Sequence, residues 1–141
     1  MSAPFRSARL EPTAPDRINR LRSALGVTSF GINQIVLEPG QRMRIHRHRD
    51  QEEVFLVLAG VLTVAFGPDD AEEFGVGELV RIAPETLRRM ENRGGERLSV
   101  LALGGAGDEH QPRDAEAFTA WDGEPGTPAD VPFPPDLPPA G

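Results

Sequence analysis

Between residues 30 and 104 turn residues cut the chain into short β-prone runs, and that punctuation limits the fold more than any other feature. The runs are FGINQIVLE (30–38), RMRIHRH (42–48), EVFLVLA (53–59), VLTVAF (61–66), AEEFGV (71–76), ELVRIA (78–83), LRRMEN (87–92) and RLSVLALG (97–104). PG at 39–40, GPDD at 67–70 and NRGGE at 92–96 supply the turns. Many short strands joined by such turns predict an all-β sandwich or small barrel rather than a parallel α/β sheet.

The flanks have a different texture. In DRINRLRSAL (16–25) apolar residues fall at Ile18, Leu21 and Leu25, a spacing that predicts a short amphipathic helix ended by Gly26. After about residue 105 the chain becomes rich in proline, and 7 of its 14 prolines lie at or beyond Pro125. Proline blocks sheet pairing and favours extended backbone. Yet Phe118, Trp121, Val131, Phe133 and Leu137 are interspersed, more apolar bulk than a fully solvated tail carries. The expected organisation is an N-terminal segment with a short helix (1–28), a barrel (29–104) and an extension (105–141) that packs in part and is mobile at its end.

Composition removes several chemistries. All 15 basic residues are arginine, so no Schiff-base lysine is available, and no tyrosine can serve as a phenolic acid or base. With no cysteine there is neither a thiolate metal site nor a thiol nucleophile. The net charge of −7 disfavours nucleic acid and anionic membranes as partners. No stretch approaches the roughly 20 apolar residues of a membrane helix, and no leader-like apolar segment opens the chain. A cytoplasmic protein is expected.

The stretch RIHRHRDQEEVFLVLAG (44–60) concentrates the chemistry. Residues two apart on a strand face the same side, so His46 and His48 point together. A turn at 49–52 followed by a strand from Glu53, paired antiparallel with the first, would return a carboxylate towards both imidazoles. Two imidazoles and a carboxylate suit Fe(II), with Mn, Ni, Zn or Cu as further possibilities. A polar hairpin with exposed histidines fits the H-x-H pattern as well. The same alternation turns Arg47 and Arg49 away from the histidines.

Gly40, His46, His48, Glu53 and Gly60 stand at intervals that resemble the first motif of the cupin superfamily, and GELVRIAPETLRRMEN (77–92) resembles the second. The resemblance covers about residues 32 to 104 and implies a jelly-roll barrel, a metal held by His46, His48 and Glu53, and a homodimer. This chain departs from the second motif in three places. Ala83 stands at the proline position with Pro84 one later, Glu85 stands at an internal glycine, and Arg88 stands at the third histidine, the fourth ligand.

An arginine has no lone pair to give a metal. Three arrangements of Arg88 are open. It swings aside from a three-ligand metal; it replaces the metal by pairing with Glu53; or it faces the cavity and captures an anionic ligand. Arg44 is the second cationic candidate for ligand binding. Phe55 and Met90 are expected in the cavity wall, where they serve equally as plain core residues. His110 either folds over the barrel mouth or is an exposed loop residue. The expected function is a divalent metal site (Fe, Mn, Ni or Zn), a small organic anion site, or both, as in a metal-dependent oxygenase or isomerase. The alternative is a metal-free binding or sensor module in which Arg88 neutralises Glu53.

Overall fold

Each of the β-prone runs forms a strand in the computed structural model, which describes residues 4–105 and 114–138. In chain order the strands are β1 (Ile18–Asn19), β2 (Gly31–Leu37), β3 (Ile45–His48), β4 (Glu52–Ala59), β5 (Leu62–Gly67), β6 (Asp70–Phe74), β7 (Leu79–Ile82), β8 (Arg89–Glu91), β9 (Leu98–Gly105) and β10 (Ala115–Phe118). Among the described residues a single α-helix, α1 (Leu21–Leu25), lies between β1 and β2.

One sheet has the order β1-β2-β9-β4-β7, with all pairs antiparallel. The second is built from the ladders β10-β3 and β8-β5-β6, which the bridges His46↔Arg88 and Arg42↔Glu91 join. The joint is a true hydrogen-bonded seam. The His46 N–H donates to the Arg88 carbonyl at 3.0 Å, the Arg88 N–H returns the bond at 3.1 Å, and the Met43 N–H reaches the Met90 carbonyl at 2.9 Å. The two sheets face each other across a core in which Leu37, Leu62, Val64, Leu98 and Val100 are fully buried. Side chains of this kind stabilise by about 1.5–3 kcal/mol each when removed from water. The result is the expected all-β jelly-roll barrel.

Two local expectations change. The run 16–25 is helical only over its last five residues, Leu21–Leu25. Arg17 takes a positive φ of 70°, and Ile18 and Asn19 then pair with Ile35 and Gln34 of β2. Joining the sheet satisfies the backbone there and packs Ile18 on the core, which a five-residue helix in water cannot match. Gly26 closes the helix as foreseen, in the left-handed conformation with its N–H donating to the Arg22 carbonyl at 2.9 Å.

The second change matters more. β3 and β4 do not form the expected hairpin. β4 lies between β9 and β7 in the first sheet, whereas β3 lies between β10 and β8 in the second. EVFLVLA is apolar on both faces, and such a strand belongs in a sheet centre rather than in a hairpin with a polar, arginine-rich neighbour. The chain from Arg49 to Gln51 therefore crosses from one sheet to the other.

The extension supplies β10 and then folds back as a strap. Phe118 is buried, Trp121 lies 5.3 Å from the Arg89 guanidinium, and the Phe133 ring is clamped between the guanidinium groups of Arg17 (4.3 Å) and Arg44 (4.0 Å). Arg42 donates to the Pro135 carbonyl at 2.7 Å, and the Leu137 N–H donates to the Gly40 carbonyl at 2.7 Å. The strap thus joins the barrel mainly through side-chain and single backbone bonds, with one antiparallel bridge, Gly126 to Ala117, before its proline-rich end.

Candidate metal and ligand site

Because β3 and β4 belong to opposite sheets, His46, His48 and Glu53 meet across the barrel interior rather than side by side. Odd-numbered β4 residues point inward, Glu53 with Phe55 and Val57, and even-numbered β3 residues point inward to meet them. Both Nε2 atoms converge on one carboxylate oxygen, Glu53 Oε1, at 3.3 Å from His46 and 3.4 Å from His48. The three ligand atoms lie within 4.8 Å of one another.

The outer nitrogens have different partners. His48 Nδ1 donates to Asp114 Oδ2 at 2.8 Å, whereas His46 Nδ1 faces the Arg44 carbonyl at 3.4 Å. A carboxylate only accepts, so His48 Nδ1 carries the hydrogen of this bond, and its Nε2 faces Glu53. Burial lowers the His46 pKa against the opposing pull of Glu53 and so favours the neutral ring. Burial works the other way on Glu53, but hydrogen bonds from the two histidines and the charge of Arg88 outweigh it and hold the carboxyl well below its ordinary range.

Arg88 is the cation already in place. Its side chain is 0% exposed and its Nη2 donates to Glu53 Oε1, while Nη1 donates to the Thr86 carbonyl at 2.9 Å. Its Nε has no partner among the described residues, a cost of about 1–3 kcal/mol for a buried donor. Among the arrangements open from the sequence, this is the one in which Arg88 pairs with Glu53. Its guanidinium bonds the same Glu53 oxygen that both histidines face, and it does not line the cavity.

That cavity has a volume of about 210 Å³ and ends at His46, His48 and Glu53. The rest of its wall is mostly apolar: Ile18, Ile35, Met43, Phe55, Met90, Ala102, Ala117 and Pro128, with Asn33 and Arg44 as further polar members. Phe55 and Met90 line it while also belonging to the buried core, so the two roles foreseen for them coincide. Arg44 reaches the cavity from the strap side. Its Nε donates to the Val131 carbonyl, and its guanidinium has no carboxylate partner among the described residues. Arg47 turns outward to Glu116 at 3.5 Å, and Arg49 is exposed. His110 lies outside the described residues.

The donor set suits a divalent transition metal. Two imidazole nitrogens and a carboxylate oxygen are what Fe, Mn, Ni and Zn accept. Two ligand atoms each about 2.1 Å from one ion stand about 3.0–3.4 Å apart, which agrees with the separations across Glu53.

Sequence reasoning missed two contributors. Asp114 is one. The other is Glu85, which stands at the glycine position of the second motif and takes a φ of 66° there, its N–H donating to the His48 carbonyl at 2.6 Å. The motif departure was the available signal for the strained backbone; nothing near Asp114 in the sequence pointed to His48.

A double-sheet barrel with a histidine–carboxylate site at one end of its cavity defines the class. The family model for the Cupin domain matches residues 33–104, and the chain belongs to the cupin family. Solved structures agree on the fold. A sugar phosphate isomerase from a cupin superfamily, from Silicibacter pomeroyi, is 25% identical with a TM-score of 0.59, over 72% of this chain and 62% of that one. This chain thus spans less than two thirds of that protein's length. A cupin protein from Bacteroides fragilis is 18% identical with a TM-score of 0.59, over 78% and 97%. A conserved protein with a double-stranded beta-helix domain from Klebsiella pneumoniae is 15% identical with a TM-score of 0.57, over 64% and 76%. No curated protein matches the sequence.

Proposed function

We propose that this cupin binds a small organic anion in its cavity beside a divalent transition metal held by His46, His48 and Glu53. The observation that carries the reading is the convergence of both Nε2 atoms on Glu53 Oε1 at the polar end of an otherwise apolar cavity. A bound divalent ion would act there as a Lewis acid on a ligand oxygen, the chemistry that metal-dependent isomerases and oxygenases share. Arg44 offers the ligand's anionic group a guanidinium that no carboxylate among the described residues claims, and Phe55 and Met90 offer its body an apolar wall. Arg88 holds Glu53 in place through the same oxygen, Oε1.

The Silicibacter neighbour is described as a sugar phosphate isomerase. The cavity here favours a different ligand. A polyhydroxylated sugar needs a hydrogen-bond partner for each hydroxyl, and beyond the triad the described residues of the wall offer only Asn33 and Arg44. A compact, largely apolar acid fits better.

The Arg88–Glu53 ion pair supports a second reading, a metal-free binding module in which the guanidinium takes the metal's place. One experiment separates the two. Protein purified without chelator or nickel resin is analysed for metals and titrated with Mn, Fe, Ni and Zn. Stoichiometric binding that His46→Ala abolishes supports the first reading. A chain that refuses all four ions at micromolar concentration supports the second.

We also propose a homodimer formed on the outer face of the first sheet, where Leu79, Leu56 and Leu101 stand side by side across β7, β4 and β9. Leu79 is 66% exposed. Light scattering should give twice the chain mass, and Leu79→Arg should shift it towards the monomer.

A further inference from the structure

The family match ends at residue 104, but the site does not. β10 pairs in register with β3, placing Ala115 opposite His48 and Ala117 opposite His46. Ala117 and Pro128, both in the extension, line the cavity. The extension enters this pairing through Asp114, which is 9% exposed and bonded at every oxygen. Its Oδ2 takes the His48 Nδ1 proton at 2.8 Å, its Oδ1 takes the Asp50 N–H at 3.0 Å, and its backbone carbonyl takes the Arg49 N–H at 3.0 Å. Two of these donors are the residues that follow His48, so Asp114 grips both the ring and the chain that carries it.

We infer that Asp114 is a positioning residue for His48, and that the C-terminal extension is therefore part of the metal site. The inference rests on reading the triad as a metal site. A ligating histidine depends on the group that holds its other ring nitrogen, which fixes the tautomer, aims the lone pair and raises the ring's basicity. His48 has a short bond to a buried carboxylate for this purpose. His46 has only a backbone carbonyl at 3.4 Å. The two ligands are thus held unequally, and the firmer one depends on a residue 66 positions away in sequence.

The test uses the full chain with Co²⁺ alone as probe, followed by calorimetry and by the ion's visible spectrum. Asp114→Ala should weaken Co²⁺ binding roughly 10- to 100-fold. Asp114→Asn keeps an acceptor for Nδ1 and should recover most of the loss, which a purely structural defect would not allow. Asp114→Ser replaces the alanine variant if that one does not fold. A second readout needs no metal. In the wild-type protein the His48 Nδ1–H proton should give a slowly exchanging NMR signal, and the signal should vanish in Asp114→Ala. Unchanged Co²⁺ affinity in a folded Asp114→Ala variant overturns the inference, as does a persistent Nδ1–H signal. If the wild-type chain binds no Co²⁺, the metal reading fails, and the NMR signal alone then decides whether Asp114 holds His48.

Discussion

Arg88, His46 and His48 all converge on a single atom, Glu53 Oε1. A metal entering this site meets a carboxylate that a buried guanidinium already neutralises. That convergence makes Arg88 the most informative position in the chain.

Arg88→His removes the competing cation and adds a fourth donor. Affinity for Mn²⁺ or Ni²⁺ should rise at least about tenfold, or about 1.4 kcal/mol. Calorimetric titration of the two proteins measures it, and equal affinities would mean that residue 88 does not stand at the ligand corner.

Arg88→Ala has a different expected outcome. It leaves Glu53 buried without its guanidinium, and breaking one side of a buried pair costs about 3–5 kcal/mol. Chemical denaturation without metal should show that loss. Adding metal should return part of it, because a bound cation supplies the missing charge.

Acid should destabilise the protein in two stages. The folded-state pKa values of His46 and Glu53 both lie below the ordinary values of 6.5 and 4.5. For each group the unfolded chain binds the proton first, so the stability it contributes is complete above the ordinary value and falls as pH drops towards the folded one. Denaturation midpoints should therefore decline below about pH 6.5 and again below about pH 4.5. In Glu53→Gln the second decline should be shallower, and an unchanged pH profile would remove Glu53 as its source.

Backbone strain predicts substitutions of opposite sign. Glu85 holds a left-handed conformation that costs a side-chain-bearing residue about 1–2 kcal/mol, so Glu85→Gly should raise the melting temperature. Gly60 has a φ of 79°, and a Cβ there would lie 2.6 Å from the Arg97 carbonyl oxygen. Gly60→Ala should therefore lower the melting temperature. Differential scanning calorimetry reads both, and a gain in the Gly60 variant would contradict the observed turn.

Phe133 carries the strap. Replacing it with alanine removes a ring clamped between two guanidinium groups and should cost about 1.5–3 kcal/mol of packing. Limited proteolysis should then cut more rapidly beyond Gly126, with the barrel left intact. Unchanged protection would show that the Arg42 and Leu137 bonds suffice.

The sequence disclosed composition and spacing well and pairing poorly. His46, His48 and Glu53 were legible because motif spacing encodes them, whatever sheet each strand joins. The expected β3–β4 hairpin was wrong because strand choice follows from burying both faces of EVFLVLA, which is a property of the assembled core. Ile18 misled in the same way. Its helical spacing was real, but the free edge of β2 offered a better partner. Asp114 was illegible for a simpler reason. An acidic residue in a polar stretch carries no local sign of the ring it will meet 66 positions away.

The position of β10 also bears on how this protein can be divided. A fragment trimmed to the family boundaries would keep all three candidate ligands and both motifs. It would lose one edge of the second sheet, the Ala117 and Pro128 portions of the cavity wall, and the partner of the His48 ring. Such a fragment would look complete by motif and be incomplete by chemistry. For experiments on this chain, the smallest unit that keeps these contacts extends through the strap.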